Sequence, residues 1–143
     1  MNTLDDSSKF LLNTAQELRI AKDIDPNEMY RILIEFGKKL DVFPESEKIE
    51  KNKVKGCTSN VYISSNKESD RLFYKGTSDA MIVKGYLSIL IEALSGLKQD
   101  EIKKSEDLIK EFIEVAQVRS SLTPSRANAF GSIYTMMLDK AKE

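Results

Sequence analysis

The chain has no histidine, one cysteine and three prolines in 143 residues. Without histidine it lacks the usual general base of Ser-His-Asp and Cys-His hydrolysis, and the commonest metal ligand as well. A single cysteine cannot close an internal disulfide. Nor can it supply the several thiolates that a cluster or a structural zinc site takes. No CxxC occurs, which excludes dithiol chemistry of the thioredoxin kind. No apolar run approaches the roughly 20 residues that span a bilayer. The opening stretch Met1 to Asp6 has no basic region followed by an apolar one, so the expected location is cytoplasmic. A surplus of one charge is missing too. With 22 basic and 23 acidic residues the formal charge is -1, and neither nucleic acid nor an anionic membrane surface is favoured as a partner.

What is present is enough for one compact domain over 1–143, since 41% of the residues are hydrophobic. The spacing of Leu4, Phe10, Leu11, Leu12, Ala15 and Leu18 predicts a helix over 3–21. Asp25-Pro26-Asn27-Glu28 reads as a helix start, with Asp25 capping and Pro26 at the first helical position. An apolar stripe from Met29 carries that helix to about Leu40, and Pro44 lies beyond its end. The mixed charges of 45–55 read as a solvated loop. Strands are expected over 59–64 and 71–75, joined by a polar turn at 65–70. Val54 and its neighbours add a short strand, giving an antiparallel sheet of about three strands. Thr77 or Ser78 then caps a helix with Asp79 in its first turn, running as a buried apolar element to Leu94 and stopped by Gly96. A turn of helix over 99–104, a helix over 105–118, and a last helix capped by Thr123 with Pro124 at its first position complete the chain. The class is α+β, a small antiparallel sheet packed against several helices.

Two residues stand out against this framework. Cys57, the only thiol, follows Gly56, a residue that lets the chain bend sharply. In an extended strand, residues 57, 59, 61 and 63 share one face, reading Cys, Ser, Val, Ile, so Cys57 is expected to be half-sheltered at the strand's entry. Arg126 lies in the first turn of the last helix, where a cation opposes the helix dipole by ~0.3 to 1 kcal/mol. Helix-forming rules therefore do not account for it, whereas a guanidinium aimed at an anion or a developing thiolate does.

Three blocks in order carry a resemblance. Gly56-Cys57-Thr58-Ser59-Asn60-Val61, Gly76-Thr77-Ser78-Asp79-Ala80-Met81-Ile82-Val83-Lys84-Gly85 and Leu122-Thr123-Pro124-Ser125-Arg126 are similar to the motifs of the SufE family of sulfur-acceptor proteins, which includes the related CsdE proteins. The likeness runs from about Pro26 to the C-terminus. Tyr62 stands where many members carry tryptophan, and Ala129-Phe130 where many carry Gly-Leu. The resemblance implies a fold like that of the IscU-type scaffolds and a role in iron-sulfur cluster assembly. Cys57 would accept sulfur as a persulfide from a pyridoxal-phosphate (PLP)-dependent cysteine desulfurase of the SufS or CsdA kind. It would stimulate that enzyme and pass the sulfur to a scaffold complex such as SufBCD. Arg126 and Asp79 would attend the thiol, with Gly56 and Ser59 as loop and partner-contact residues. Asp79 would hold the closed loop or position Arg126 through a charge-assisted hydrogen bond.

The implied protein is a transfer partner and not a stand-alone enzyme. It binds no metal or cofactor of its own and is a monomer or homodimer. Two other readings stay open on the residues: a one-cysteine thiol peroxidase, in which a lone thiolate beside an arginine reduces peroxide, and an adaptor whose cysteine is incidental.

Overall fold

The computed structural model describes residues 2–143. Helix α1 (Leu4–Ile24) starts at Thr3, whose hydroxyl accepts the Asp6 N–H at 3.1 Å, and α2 (Pro26–Lys38) starts at Asp25, whose carboxylate accepts the Asn27 N–H at 2.9 Å. Two short 3-10 turns follow (Glu45–Glu47 and Glu50–Asn52) and then strands β1 (Val61–Glu68) and β2 (Arg71–Ser78). After the sheet come α3 (Met81–Leu94), α4 (Gln99–Lys103), α5 (Glu106–Val115), α6 (Val118–Ser121) and α7 (Pro124–Ala141). The class is α+β, as the residues and the resemblance imply.

The buried centre is α3, flanked by α2 on one side, β2 on another and α7 on a third. Gly85 allows the closest helix approach: a methyl group there would come 2.2 Å from the Leu33 carbonyl oxygen of α2. Phe130 of α7 stacks on Phe112 of α5 (5.7 Å) and meets Tyr86 of α3 edge-on (5.4 Å), so one ring joins three helices. The Tyr74 hydroxyl of β2 donates to the Met137 carbonyl at 2.8 Å and fixes α7 to the sheet.

Several sequence expectations are corrected here. The sheet has two strands and not about three. Lys53 makes one bridge to Tyr62, with the Val54 N–H on the Val61 carbonyl at 2.8 Å, before Gly56 turns the chain away and ends the pairing. The strands are also longer than expected and the turn shorter. Pairing runs from Val61 with Ser78 to Glu68 with Arg71, leaving only Ser69-Asp70 to turn, with Ser69 at φ 58°. Beyond Ser64 the residues of β1 are exposed, so the backbone ladder holds them and no apolar alternation marks them. The 45–55 segment is not simply solvated, because Asn52 and Val54 are buried beneath its charged residues. The helix expected over 105–118 breaks at Gln117, which sits in the left-handed region at φ 54°.

Candidate functional site

Cys57 lies in a loop between Gly56 and Asn60, not on a strand, because β1 begins only at Val61. The face alternation drawn through residues 57 to 63 therefore does not apply at 57. The thiol is half-buried all the same, since the loop folds it against the apolar core. Gly56 starts the loop at φ 85°, a conformation that side chains disfavour. A methyl group on it would also come 3.0 Å from the Ser132 hydroxyl of α7.

The loop is held at two further points. The Thr58 and Ser125 hydroxyls are 2.8 Å apart and hydrogen-bonded, which pins the loop to the first turn of α7. Asn60 is held by Asp79: its backbone N–H and side-chain amide donate to the two carboxylate oxygens at 3.1 and 3.2 Å, and its carbonyl accepts the Asp79 N–H at 3.2 Å. Asp79 thus clasps the end of the cysteine loop. It is not in the first turn of α3, which begins at Met81. The Ser78 hydroxyl accepts the Ala80 N–H at 3.1 Å in the turn before the helix, and α3 has no side-chain cap.

Arg126 follows Ser125 and so sits one residue from the point where α7 grips the loop. Its half-buried guanidinium lies over the ring of Tyr30 from α2, 5.9 Å from the centroid, within the range of a cation–π contact. Among the described residues no hydrogen bond or ion pair joins it to Asp79, whose oxygens both face Asn60; the expected contact between the two is absent. Ser59 is half-buried in the loop. The site therefore gathers Gly56, Cys57, Ser59 and Asp79 on one loop and its clasp, and sets the helix turn that carries Arg126 against that loop.

Burial raises the pKa of the Cys57 thiol above its ordinary value, with no nearby charge as the cause. At neutral pH the folded loop holds a protonated, sheltered sulfur. Among the described residues no group of three or more histidine, cysteine, aspartate or glutamate side chains could hold a metal. No helix among them is long and apolar enough to cross a membrane.

Residue-by-residue reading did not find Asn60, Thr58, Ser125, Ser132 or Tyr30. Asn60, Thr58 and Ser125 lie inside the quoted motif blocks, and that position was their only signal. Ser132 and Tyr30 read as ordinary helix residues.

Known proteins resemble the chain in both sequence and shape. The model of the SufE family, described as an Fe-S metabolism associated domain, matches residues 13–141. A SufE-like protein of Synechocystis sp. is 45% identical over 123 residues, covering 86% of this chain and 76% of that one. A protein of Wigglesworthia glossinidia brevipalpis named cysteine desulfuration protein SufE is 30% identical over 116 residues, covering 80% and 79%. The solution structure of a hypothetical protein from Thermus thermophilus superposes with a TM-score of 0.67 over 92% of this chain and 93% of that one, at 16% identity, which is a likeness of fold.

Proposed function

The chain belongs to the SufE family, and on that premise we propose that Cys57 accepts sulfur from a cysteine desulfurase and carries it toward iron-sulfur cluster assembly. The observation that carries this reading is the loop itself. The chain's one thiol is sheltered on a segment fixed by Asp79 at one end and Ser125 in the middle, beside the turn that bears Arg126.

The chemistry needs only one sulfur on this chain. The desulfurase holds a persulfide, a sulfur atom bonded to its own cysteine. The Cys57 thiolate attacks the outer sulfur of that persulfide, a new S–S bond forms at Cys57, the old S–S bond breaks, and the desulfurase thiolate leaves. Sulfur is transferred without an external oxidant or reductant. The PLP that releases sulfur from free cysteine belongs to the partner enzyme. A scaffold complex for cluster assembly is the receiver that the family suggests.

Sheltering divides the work between the two proteins. In the free loop, burial favours the protonated thiol and slows side reactions with oxidants. Docking turns the loop out, and the cationic turn at Arg126 then favours the thiolate where the donor sulfur is presented. The same burial disfavours the peroxidase reading, which needs an exposed thiolate of low pKa. The test is desulfurase turnover, followed as alanine released from cysteine with this chain added. Stimulation by the chain and none by Cys57→Ala is expected, and equal rates with both would overturn the proposal.

A further inference from the structure

The guanidinium proposed to serve the thiol is engaged elsewhere in the folded chain. The backbone of Arg126 is fixed by the start of α7, where its N–H donates to the Thr123 carbonyl at 3.1 Å and the Thr123 hydroxyl at 3.4 Å. Only the side chain is left to take a direction, and it points to α2. There it lies over the Tyr30 ring, 5.9 Å from the centroid, inside the reach of a cation–π attraction. No carboxylate among the described residues pairs with it.

Tyr30 is itself held in place. It is half-buried against the core, and it stands close enough to Tyr86 of α3 to raise the pKa of that hydroxyl, second to burial as a cause. Tyr86 meets Phe130 edge-on at 5.4 Å, and Phe130 follows Arg126 by one turn on the same face of α7. Arg126 therefore sits at the exposed end of a run of three rings contributed by α2, α3 and α7.

The thiol loop is pinned only one residue away. Arg126 follows Ser125, whose hydroxyl is bonded to that of Thr58 at 2.8 Å, and Thr58 follows Cys57. The other charges flanking the loop are Lys55, immediately before Gly56, and Asp79, whose carboxylate is turned to Asn60. None of the three shifts the thiol, whose pKa is raised by burial alone. A cation one residue from the pin of the loop that leaves no mark on the sulfur is a cation directed away from it.

We propose that Tyr30 is a positioning residue for sulfur transfer, whose ring holds the Arg126 guanidinium off Cys57 while the loop is closed and yields it to the thiol when docking opens the loop. The inference rests on the proposed service of Arg126 to the docked thiolate and adds where that cation waits. A cation–π contact at a half-exposed site is weak, whereas a charge-assisted hydrogen bond to an anionic sulfur is strong, so the exchange runs downhill once the thiolate is presented. Until then the closed loop keeps Cys57 protonated by two means, burial and a withheld charge.

The test is the pH dependence of Cys57 alkylation by iodoacetamide in the full free chain, which needs no desulfurase and is read apart from sulfur transfer. Tyr30→Leu frees the guanidinium and is expected to lower the midpoint by about one pH unit, the lower end of the effect of a neighbouring opposite charge. At neutral pH that is roughly a tenfold faster reaction. Tyr30→Phe keeps the ring and the midpoint of the parent. Arg126→Ala alone leaves the midpoint unmoved, because the cation is withheld there, and added to Tyr30→Leu it restores the parent value. A Tyr30→Leu midpoint equal to that of the parent overturns the proposal. So does one that stays lowered after Arg126→Ala, since loosened packing and not the cation then acts on the thiol. A midpoint raised by Arg126→Ala alone overturns it as well, and that measurement stands even where Tyr30→Leu does not fold.

Discussion

Asp79 and Asn60 are joined by three hydrogen bonds, two to the Asp79 carboxylate and one between backbones, at 3.1 to 3.2 Å. Asn60 ends the loop that begins at Gly56, so one acidic residue before α3 sets the position of the segment that carries the only thiol. A carboxylate accepting both a backbone and a side-chain N–H holds more firmly than a neutral pair would.

Removing that carboxylate loosens the loop. Asp79→Ala is expected to lower stability by ~1 kcal/mol, the scale of exposed hydrogen bonds to a charged group, and to speed alkylation of Cys57 about fivefold by shifting the loop toward open forms. Asp79→Asn keeps one acceptor and falls between. Alkylation by iodoacetamide under native conditions measures this, and an unchanged rate in Asp79→Ala would count against the clasp.

Arg126→Ala is expected to fold normally. The stacking of its guanidinium on Tyr30 contributes under ~1 kcal/mol at a half-exposed site. Desulfurase stimulation should fall roughly tenfold, the scale of removing one charge-assisted interaction from the docked state. Arg126→Lys retains the charge but not the planar stack and should recover part of the activity. A melting temperature that falls sharply while stimulation is retained would reassign Arg126 to structure alone.

The thiol also gives a pH signature. Burial raises its folded pKa, so the alkylation rate of the native chain climbs with pH around a midpoint above the ~8.5 of a free cysteine. The sign for stability follows. As pH rises, the unfolded chain releases this proton first, so the folded state binds more protons over that interval. The contribution of the protonated thiol is complete below the unfolded value and is lost as pH climbs toward the folded one. Tyr74, Tyr86 and Tyr134 are also raised by burial and add a similar decline from about pH 10. The difference between the parent chain and Cys57→Ala isolates the cysteine, and denaturant melts at successive pH values read it.

Two glycines in helices should behave in opposite ways. Gly85→Ala forces a methyl group toward the Leu33 carbonyl where α2 crosses α3, and should cost ~3 kcal/mol or more, because backbone and not a flexible side chain is in the way. Gly131→Ala meets open space and should gain ~0.5 to 1 kcal/mol. Urea denaturation distinguishes them, and equal effects would contradict the packing described here.

Much of the helical frame is legible in the sequence because capping is local chemistry. Asp25 before Pro26 and Thr123 before Pro124 mark their helix starts as the structure has them, and the apolar run to Leu94 marks the buried centre. The sheet is less legible. The outer half of β1 is exposed, while the β2 residues paired with it include buried Leu72 and Tyr74, so no alternation distinguishes a paired strand from a polar turn at residues 65–68. At the site, the resemblance offers Asp79 two jobs, holding the closed loop or positioning Arg126, and the sequence does not choose between them. An acid two residues before a helix looks like a complement to the helix dipole, and only the folded chain shows its oxygens turned to Asn60, 19 positions earlier. The Thr58 to Ser125 bond is invisible for the same reason, since it joins residues 67 positions apart.

The most direct measurement is the mass of the Cys57 peptide after the chain is incubated with a family-matched cysteine desulfurase and free cysteine. The account predicts that this peptide gains one sulfur atom, that a thiol reductant removes it, and that desulfurase without cysteine adds none. A Cys57 peptide of unchanged mass while the desulfurase is turning over would contradict it.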